Sequence, residues 1–338
     1  MIVGVDIGGA NLKFADESKR AHSHFFPMWR QPDMLQQALE QSLRGFGAIS
    51  ALAVVMTGEL ADCFVDRAQG VAHITAHARQ AASQLGIRSC YFYGVDGMFH
   101  QRVGDAHLDC LAAANWHALA SFVGREVCGD ALLIDVGSTT TDLVPIRCGG
   151  VTTQAMTDHD RLGEGSLAYV GCQRTPVAAL CTSLRYQNQS IPVMKEVFAT
   201  IDDARVVLGL VAESATDLQT ADGRPRTKPF ALNRLARMIG LDRRRVSVPQ
   251  ARDMAAQVLQ AAQQTIADSI DRVRQTHSFQ PPAYVICGHG NDLLRLPDDV
   301  ESISLAERLG PEISRSAPSY AVAMQLRHFL DQRSDDTN

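Results

Sequence analysis

The sequence predicts an α/β protein of two related lobes with a ligand cleft between them. Three observations carry that expectation. The 338-residue chain exceeds the usual size of one hydrophobic core. One local pattern, an apolar strand, a glycine turn and a second extended segment, occurs at residues 2–15 and again at 131–146. A third glycine turn, Gly288-His289-Gly290, follows a late apolar strand.

In chain order, residues 2–5 are a short β-branched run, Gly8 and Gly9 make a turn, and 11–15 resume an extended pattern before 21–26. Residues 34–43 read as a helix ahead of a strand at 51–55, and 105–123 read as a helix ending at Gly124. The opening meander then returns, with strands at 131–136 and 141–146, a turn at Cys148-Gly149-Gly150 and an extended stretch to Met156. Residues 224–229, with two prolines, read as an exposed loop, and a long helix covers 251–276. Pro281-Pro282 breaks the chain before the strand 284–287, and a last helix runs over 316–332 ahead of a polar tail. The expected division is one lobe at 1–130, completed by the helix 316–332, and a second at 131–315. The duplication is one of fold, too divergent to show as a sequence repeat.

Composition narrows the partners. The net charge of −5 is spread along the chain, which argues against a nucleic-acid footprint or a membrane-seeking basic face. No apolar run approaches the ~20 residues that span a bilayer. Met1–Val5 leads straight into Asp6 and a glycine turn, so a cytoplasmic protein acting on small molecules is expected, with its oligomeric state open. The eight cysteines form no C-x-x-C pair and read as reduced thiols, a zinc site built from scattered cysteines and histidines being the minor alternative.

The turns carry the chemistry. In Asp6-Ile7-Gly8-Gly9-Ala10-Asn11-Leu12-Lys13, the glycines permit positive φ and let backbone N–H groups close on an anion, with Lys13 adding a point charge. In Asp135-Val136-Gly137-Ser138-Thr139-Thr140-Thr141-Asp142, hydroxyls take the place of the lysine as phosphate donors. A tight hairpin with solvated side chains is the plain reading of either turn; the recurrence favours a phosphate cleft. Asp6 and Asp135, at matching strand ends, are placed to share one Mg2+ through hard oxygen contacts. Asp142 is placed to be a base or a second metal contact. Gly288 and Gly290 could hold a nucleotide base or another flat group. Lys13 is expected to reach a leaving diphosphate and not a group bound at Gly288 and Gly290.

At these three positions the chain resembles the superfamily of acetate and sugar kinases, heat-shock proteins and actin. The resemblance implies an actin-like, ribonuclease-H-like fold in each lobe, Mg2+-bound phosphates between them, and ATP as one candidate ligand. Residues 135–146 look like the hydantoinase A/oxoprolinase branch. Met56-Thr57-Gly58-Glu59-Leu60-Ala61-Asp62-Cys63-Phe64, Ala114-Asn115-Trp116, Arg161-Leu162-Gly163-Glu164-Gly165, Arg174-Thr175-Pro176-Val177 and residues 233–238 resemble a subgroup linked to tetrahydromethanopterin-dependent one-carbon transfer. Archaeal members of that subgroup include a methanofuran-biosynthesis synthase that condenses an aminomethylfuran diphosphate with γ-glutamyltyramine. The implied reaction needs a diphosphate substrate, a phenol or amine acceptor and a general base, for which Asp142 and Glu59 are the candidates. Arg161 and Arg174 could clamp a phosphate or carboxylate, or lie on the surface. Trp116 reads as core. The competing readings are an ATP-dependent kinase or hydrolase, and a non-catalytic nucleotide-responsive partner of one-carbon enzymes.

Overall fold

The computed structural model describes residues 1–297 and 299–335. Two mixed sheets are built in the same order. The first runs β3-β2-β1-β4-β5-β6, from Ile2–Gly8 (β1), Asn11–Asp16 (β2), Ala21–Phe25 (β3), Ala51–Thr57 (β4), Ser89–Tyr93 (β5) and Phe99–His100 (β6). The second uses Ala131–Val136 (β7), Thr141–Arg147 (β8), Gly150–Val151 (β9), Leu167–Ala168 (β10), Ala283–Gly288 (β13) and Glu301–Ser304 (β14) in the order β10-β8-β7-β13-β14, with β9 also on β8. A separate hairpin, Ser183–Tyr186 (β11) with Gln189–Pro192 (β12), turns through Gln187 and Asn188 at φ 48° and 64°.

In each large sheet the first strand pairs antiparallel with the second and parallel with a later strand: β1 with β2 and β4, β7 with β8 and β13. That is the ribonuclease-H-like order, present twice.

Side-chain alternation along these strands decides where the chemistry goes. Val3, Val5 and Ile7 face a core made with helices Leu35–Leu43 and Arg67–Gln84. Leu132, Ile134 and Val136 face a core made with Ile201–Leu208, Lys228–Arg237 and Val248–Thr276. The other faces, through Ile2, Ala15, Val55, Leu133, Val144 and Val285, meet in a third core with helices Asn115–Glu126 and Ala317–Asp335. Asp6, Lys13, Asp135, Asp142 and Cys287 are in phase with that third set, so all five project to the side shared by the two sheets. Burying each large aliphatic side chain of these cores contributes about 1.5–3 kcal/mol. Gly4 is a glycine because the helix Ala317–Asp335 lies on it: a Cβ would stand 1.8 Å from the Ser319 carbonyl oxygen.

Several expectations are corrected. The helix at 105–123 is three pieces, Asp105–His107, Leu108–Leu111 and Asn115–Glu126, broken where Ala113 takes φ 47°. Gly124 does not end it but lets the Gly149 carbonyl approach to 2.3 Å of where a Cβ would be. The extended stretch 151–156 pairs only at Gly150–Val151 and then gives way to a helix, Asp158–Glu164, whose N-cap is Thr157. The loop 224–229 is anchored by Arg226 on Asp202 and runs into a helix that begins at Lys228 with Pro229 in its first turn. The long helix begins at Val248 on a Ser247–Gln250 capping box, and the last one is Ala317–Asp335. Helix Arg67–Gln84 and strand β5 were not anticipated. Among the described residues no helix is long and apolar enough to cross a membrane.

Candidate active site between the two sheets

The two glycine turns bring their acidic residues to one place. Asp6 sits opposite Lys13 across β1 and β2. Asp135 sits opposite Asp142 across β7 and β8, with Cys287 beside it on β13. The two sheets are near enough to act on each other's charges: burial raises the Asp6 carboxyl above its usual range, Lys13 opposes this and Asp142 of the second sheet adds to it. Asp135 is pushed up to about 6, by burial first and then Asp142, while Lys13 and a hydrogen bond from Cys287 pull it down. Asp6 Oδ1 is buried with no hydrogen-bond partner among the described residues.

The loops are shaped by close approach rather than by left-handed backbone, which corrects the reason expected for the first two glycine turns. Gly8, Gly9 and Gly137 do not take positive φ; Gly288 does, at 85°. A Cβ on Gly8 would stand 2.9 Å from the Asn11 carbonyl oxygen, and one on Gly58 would stand 3.0 Å from the Gly8 carbonyl group. Gly9 faces open space. In the second loop, Gly137 N–H donates to Thr140 O, Ser138 O accepts from Gln173 and Arg174 N–H, and the Ser138 and Thr139 hydroxyls lie 3.5 Å apart. Gly171 supports this loop, since a Cβ there would come within 2.4 Å of Thr139 N. The third turn presses on the second: a Cβ on Gly288 would meet Val136 O at 2.2 Å and Asp135 Oδ1 at 2.7 Å, and one on Gly290 would meet the Val136 side chain at 2.4 Å.

Arg161 and Arg174 have different roles. Arg161 is 1% exposed; its Nη2 donates to Asp142 Oδ1 and to Ser166 O, each at 2.8 Å, and its guanidinium stacks 4.2 Å from the Trp116 ring centroid. It holds Asp142 in place and does not reach into the cleft as a clamp, which corrects the sequence expectation. Arg161→Met would leave the Asp142 charge buried and unpaired, and is expected to cost about 3–5 kcal/mol in urea unfolding. Arg174 is exposed and stacks on Trp29, which follows β3 of the first sheet, 5.0 Å from its centroid.

Glu59 follows β4 and is 1% exposed, with Oε2 unpartnered among the described residues. Burial raises its carboxyl to about 7; a backbone hydrogen bond opposes, Asp158 raises it, Arg67 lowers it and Asp6 raises it slightly. Gly70 of the helix Arg67–Gln84 clamps this residue, because a Cβ there would stand 2.0 Å from Glu59 O. Arg67 and Asp158, each the first residue of its helix, therefore act on Glu59 through their charges. His289, between the two glycines of the third turn, is kept neutral: burial, then Lys13, Arg315 and Arg205, push it down to about 3. The Lys13 charge is also felt at the third turn, where it lowers both His289 and the Cys287 thiol. Because β13 lies directly beside β7, the third turn is a neighbour of Asp135.

The hydantoinase/oxoprolinase family profile matches residues 50–328. The chain belongs to the hydantoinase/oxoprolinase family. It is 32% identical to the (4-{4-[2-(gamma-L-glutamylamino)ethyl]phenoxymethyl}furan-2-yl)methanamine synthase of Methanocaldococcus jannaschii, over 98% of this chain and 99% of that protein. It is 28% identical to a protein of the same name from Methanococcus vannielii, over 63% of this chain and 98% of that one. A solved structure of similar course is the activator of 2-hydroxyisocaproyl-CoA dehydratase from Clostridium difficile with bound ADPNP, at 9% identity and TM-score 0.42, covering 98% of this chain and 97% of that one.

The residues of this family member fit a hard divalent ion. Asp6 and Asp135 carry carboxylates whose charge is disfavoured by burial and by Asp142, and the unpartnered Asp6 oxygen lacks a donor; a cation relieves both. Asp6 and Asp135 would hold Mg2+, with water completing its coordination, as this ion usually retains.

Proposed function

We propose that this chain is a diphosphate-releasing synthase that joins a furan-methyl carbon to the phenol oxygen of a tyramine-type acceptor. Two observations support the reading: full-length likeness to a synthase whose name describes a phenoxymethyl furan, and a buried glutamate, Glu59, whose carboxyl burial raises to about 7. The first carries it. The bond from the methyl carbon to the diphosphate oxygen breaks, and its electron pair leaves with diphosphate. The phenol oxygen forms the new bond to that carbon, and its proton passes to Glu59. Backbone and hydroxyl groups of the Gly8–Gly9 and Gly137–Thr140 turns hold the phosphates, and Lys13 offsets the charge that grows on them. Bound Mg2+ would supply Lewis-acid stabilisation of the leaving group. No hydride and no covalent protein intermediate is required.

Glu59 suits the proton transfer better than Asp142. A base with a pKa near the working pH combines a useful ionised fraction with real proton affinity, and Asp142 is committed to Arg161.

Incubating the protein and Mg2+ with an aminomethylfuran diphosphate and tyramine should yield ether and diphosphate in equal amounts without ATP. A strict requirement for ATP with release of ADP would overturn the reading in favour of a kinase or hydrolase. Ligand-driven closure without turnover would favour a non-catalytic partner. Lys13→Met should slow the single-turnover rate roughly a hundredfold, about 3 kcal/mol, while leaving the fold and acceptor affinity intact. Equal rates would make Lys13 a solvated hairpin residue.

A further inference from the structure

Away from the cleft, at the outer edge of the first sheet, the turn between β5 and β6 meets the short helical segment Leu108–Leu111. We propose that Asp96, His100 and Cys110 form a second metal site there, for a transition-metal dication of the zinc class, with the fourth position open to solvent. One carboxylate oxygen, one imidazole nitrogen and the sulfur lie within 4.8 Å of one another. Neighbouring vertices around tetrahedral zinc are roughly 3.3–3.6 Å apart, a spacing that lies between the 2.9 Å of the Asp96–His100 pair and the 4.8 Å limit of the set.

The backbone that presents these ligands is already in place. Val95 N–H donates to Cys110 O at 2.8 Å, tying the turn to the helical segment. Gly94 permits the approach, since a Cβ there would stand 2.5 Å from Asp96 Oδ1 and 3.1 Å from Cys110 O. Met98 N–H donates to Asp96 Oδ1 at 3.0 Å and orients the carboxylate, leaving Oδ2 2.9 Å from His100 Nε2. The Cys110 thiol donates to His107 O at 3.3 Å.

Sulfur and imidazole ligands select a softer ion than the all-oxygen set of the cleft, so the two sites take different metals. Binding here displaces the thiol proton and any proton between His100 and Asp96 to solvent, with no redox change. The ion would fasten the β5–β6 edge to the chain leading into helix Asn115–Glu126.

Cobalt substitution tests this. The metal-free full-length protein titrated with Co2+ should develop the near-ultraviolet thiolate-to-cobalt band and strong visible bands of a tetrahedral site, saturating at one equivalent and erased by Zn2+. Cys110→Ser should abolish the near-ultraviolet band, Asp96→Asn should weaken Co2+ binding at least about tenfold, and Cys148→Ser, at an exposed cysteine elsewhere, should change nothing. Cobalt in the cleft would give weak bands without the thiolate transition. A wild-type protein with no thiolate band, or a band that survives in Cys110→Ser, overturns the assignment.

Discussion

Asp135→Asn is expected to lower turnover on the order of a thousandfold while making the unliganded protein more stable above pH 6. The Asp135 carboxyl is raised from 3.8 to about 6, chiefly by burial and by Asp142. The fold therefore favours its protonated form. That contribution is fully present below pH 3.8 and is lost as pH rises to about 6, above which the ionised group burdens the fold. The burden is about 1–3 kcal/mol, reduced because part of the side chain still faces the cleft. Asparagine cannot ionise, so urea unfolding should show the variant and wild type alike at pH 3.5 and the variant more stable at pH 8. Mg2+ with diphosphate should stabilise the wild type and not the variant. Asp6→Asn should follow the same direction, its carboxyl being raised by burial as well. Retained turnover in both variants, with a stability loss of about 1 kcal/mol, would reduce these aspartates to turn caps.

Glu59→Gln is expected to cost about 100- to 10,000-fold in the chemical step, the range for removal of a general base. Its diagnostic is the pH profile. Because Glu59 must be ionised to accept the phenol proton, the wild-type rate should rise with pH through an apparent pKa near 7 and then level off. The variant should lose that limb. Acceptors with more acidic phenols should recover part of the rate, since less proton transfer is needed as the bond forms. A Glu59→Gln profile with the same limb would move the base elsewhere, and Asp158, itself raised by burial, is the neighbour to examine.

The parts of the fold legible in the sequence are those where a local pattern suffices. The apolar alternation of residues 2–7 and 131–136 marks strands that must bury one face, and the glycines after them mark the turns, although β1 runs on through Asp6 to Gly8 and Lys13 lies inside β2. Helix Arg67–Gln84 escaped because its buried stripe is Gly70, Val71, Ile74, Thr75, Ala78, Ala81 and Ala82, small residues that leave little amphipathic contrast. Arg161 was misread because its role depends on a partner 19 residues away, Asp142, and on the Trp116 ring from another helix. Its charge looks free in the sequence and is paired in three dimensions. The subgroup motif at residues 56–64 drew attention to Glu59, yet nothing local shows that it is sealed by Gly70 and raised toward neutrality.

The proposed reaction breaks a carbon–oxygen bond and not a phosphorus–oxygen bond. An aminomethylfuran diphosphate carrying oxygen-18 at the bridging position tests it in one turnover, with mass analysis of both products. Attack of the phenol on carbon sends all of the label into diphosphate and leaves the ether unlabelled. Label kept on the furan-methyl product would mean that the phosphoryl group is transferred instead, and would contradict the account.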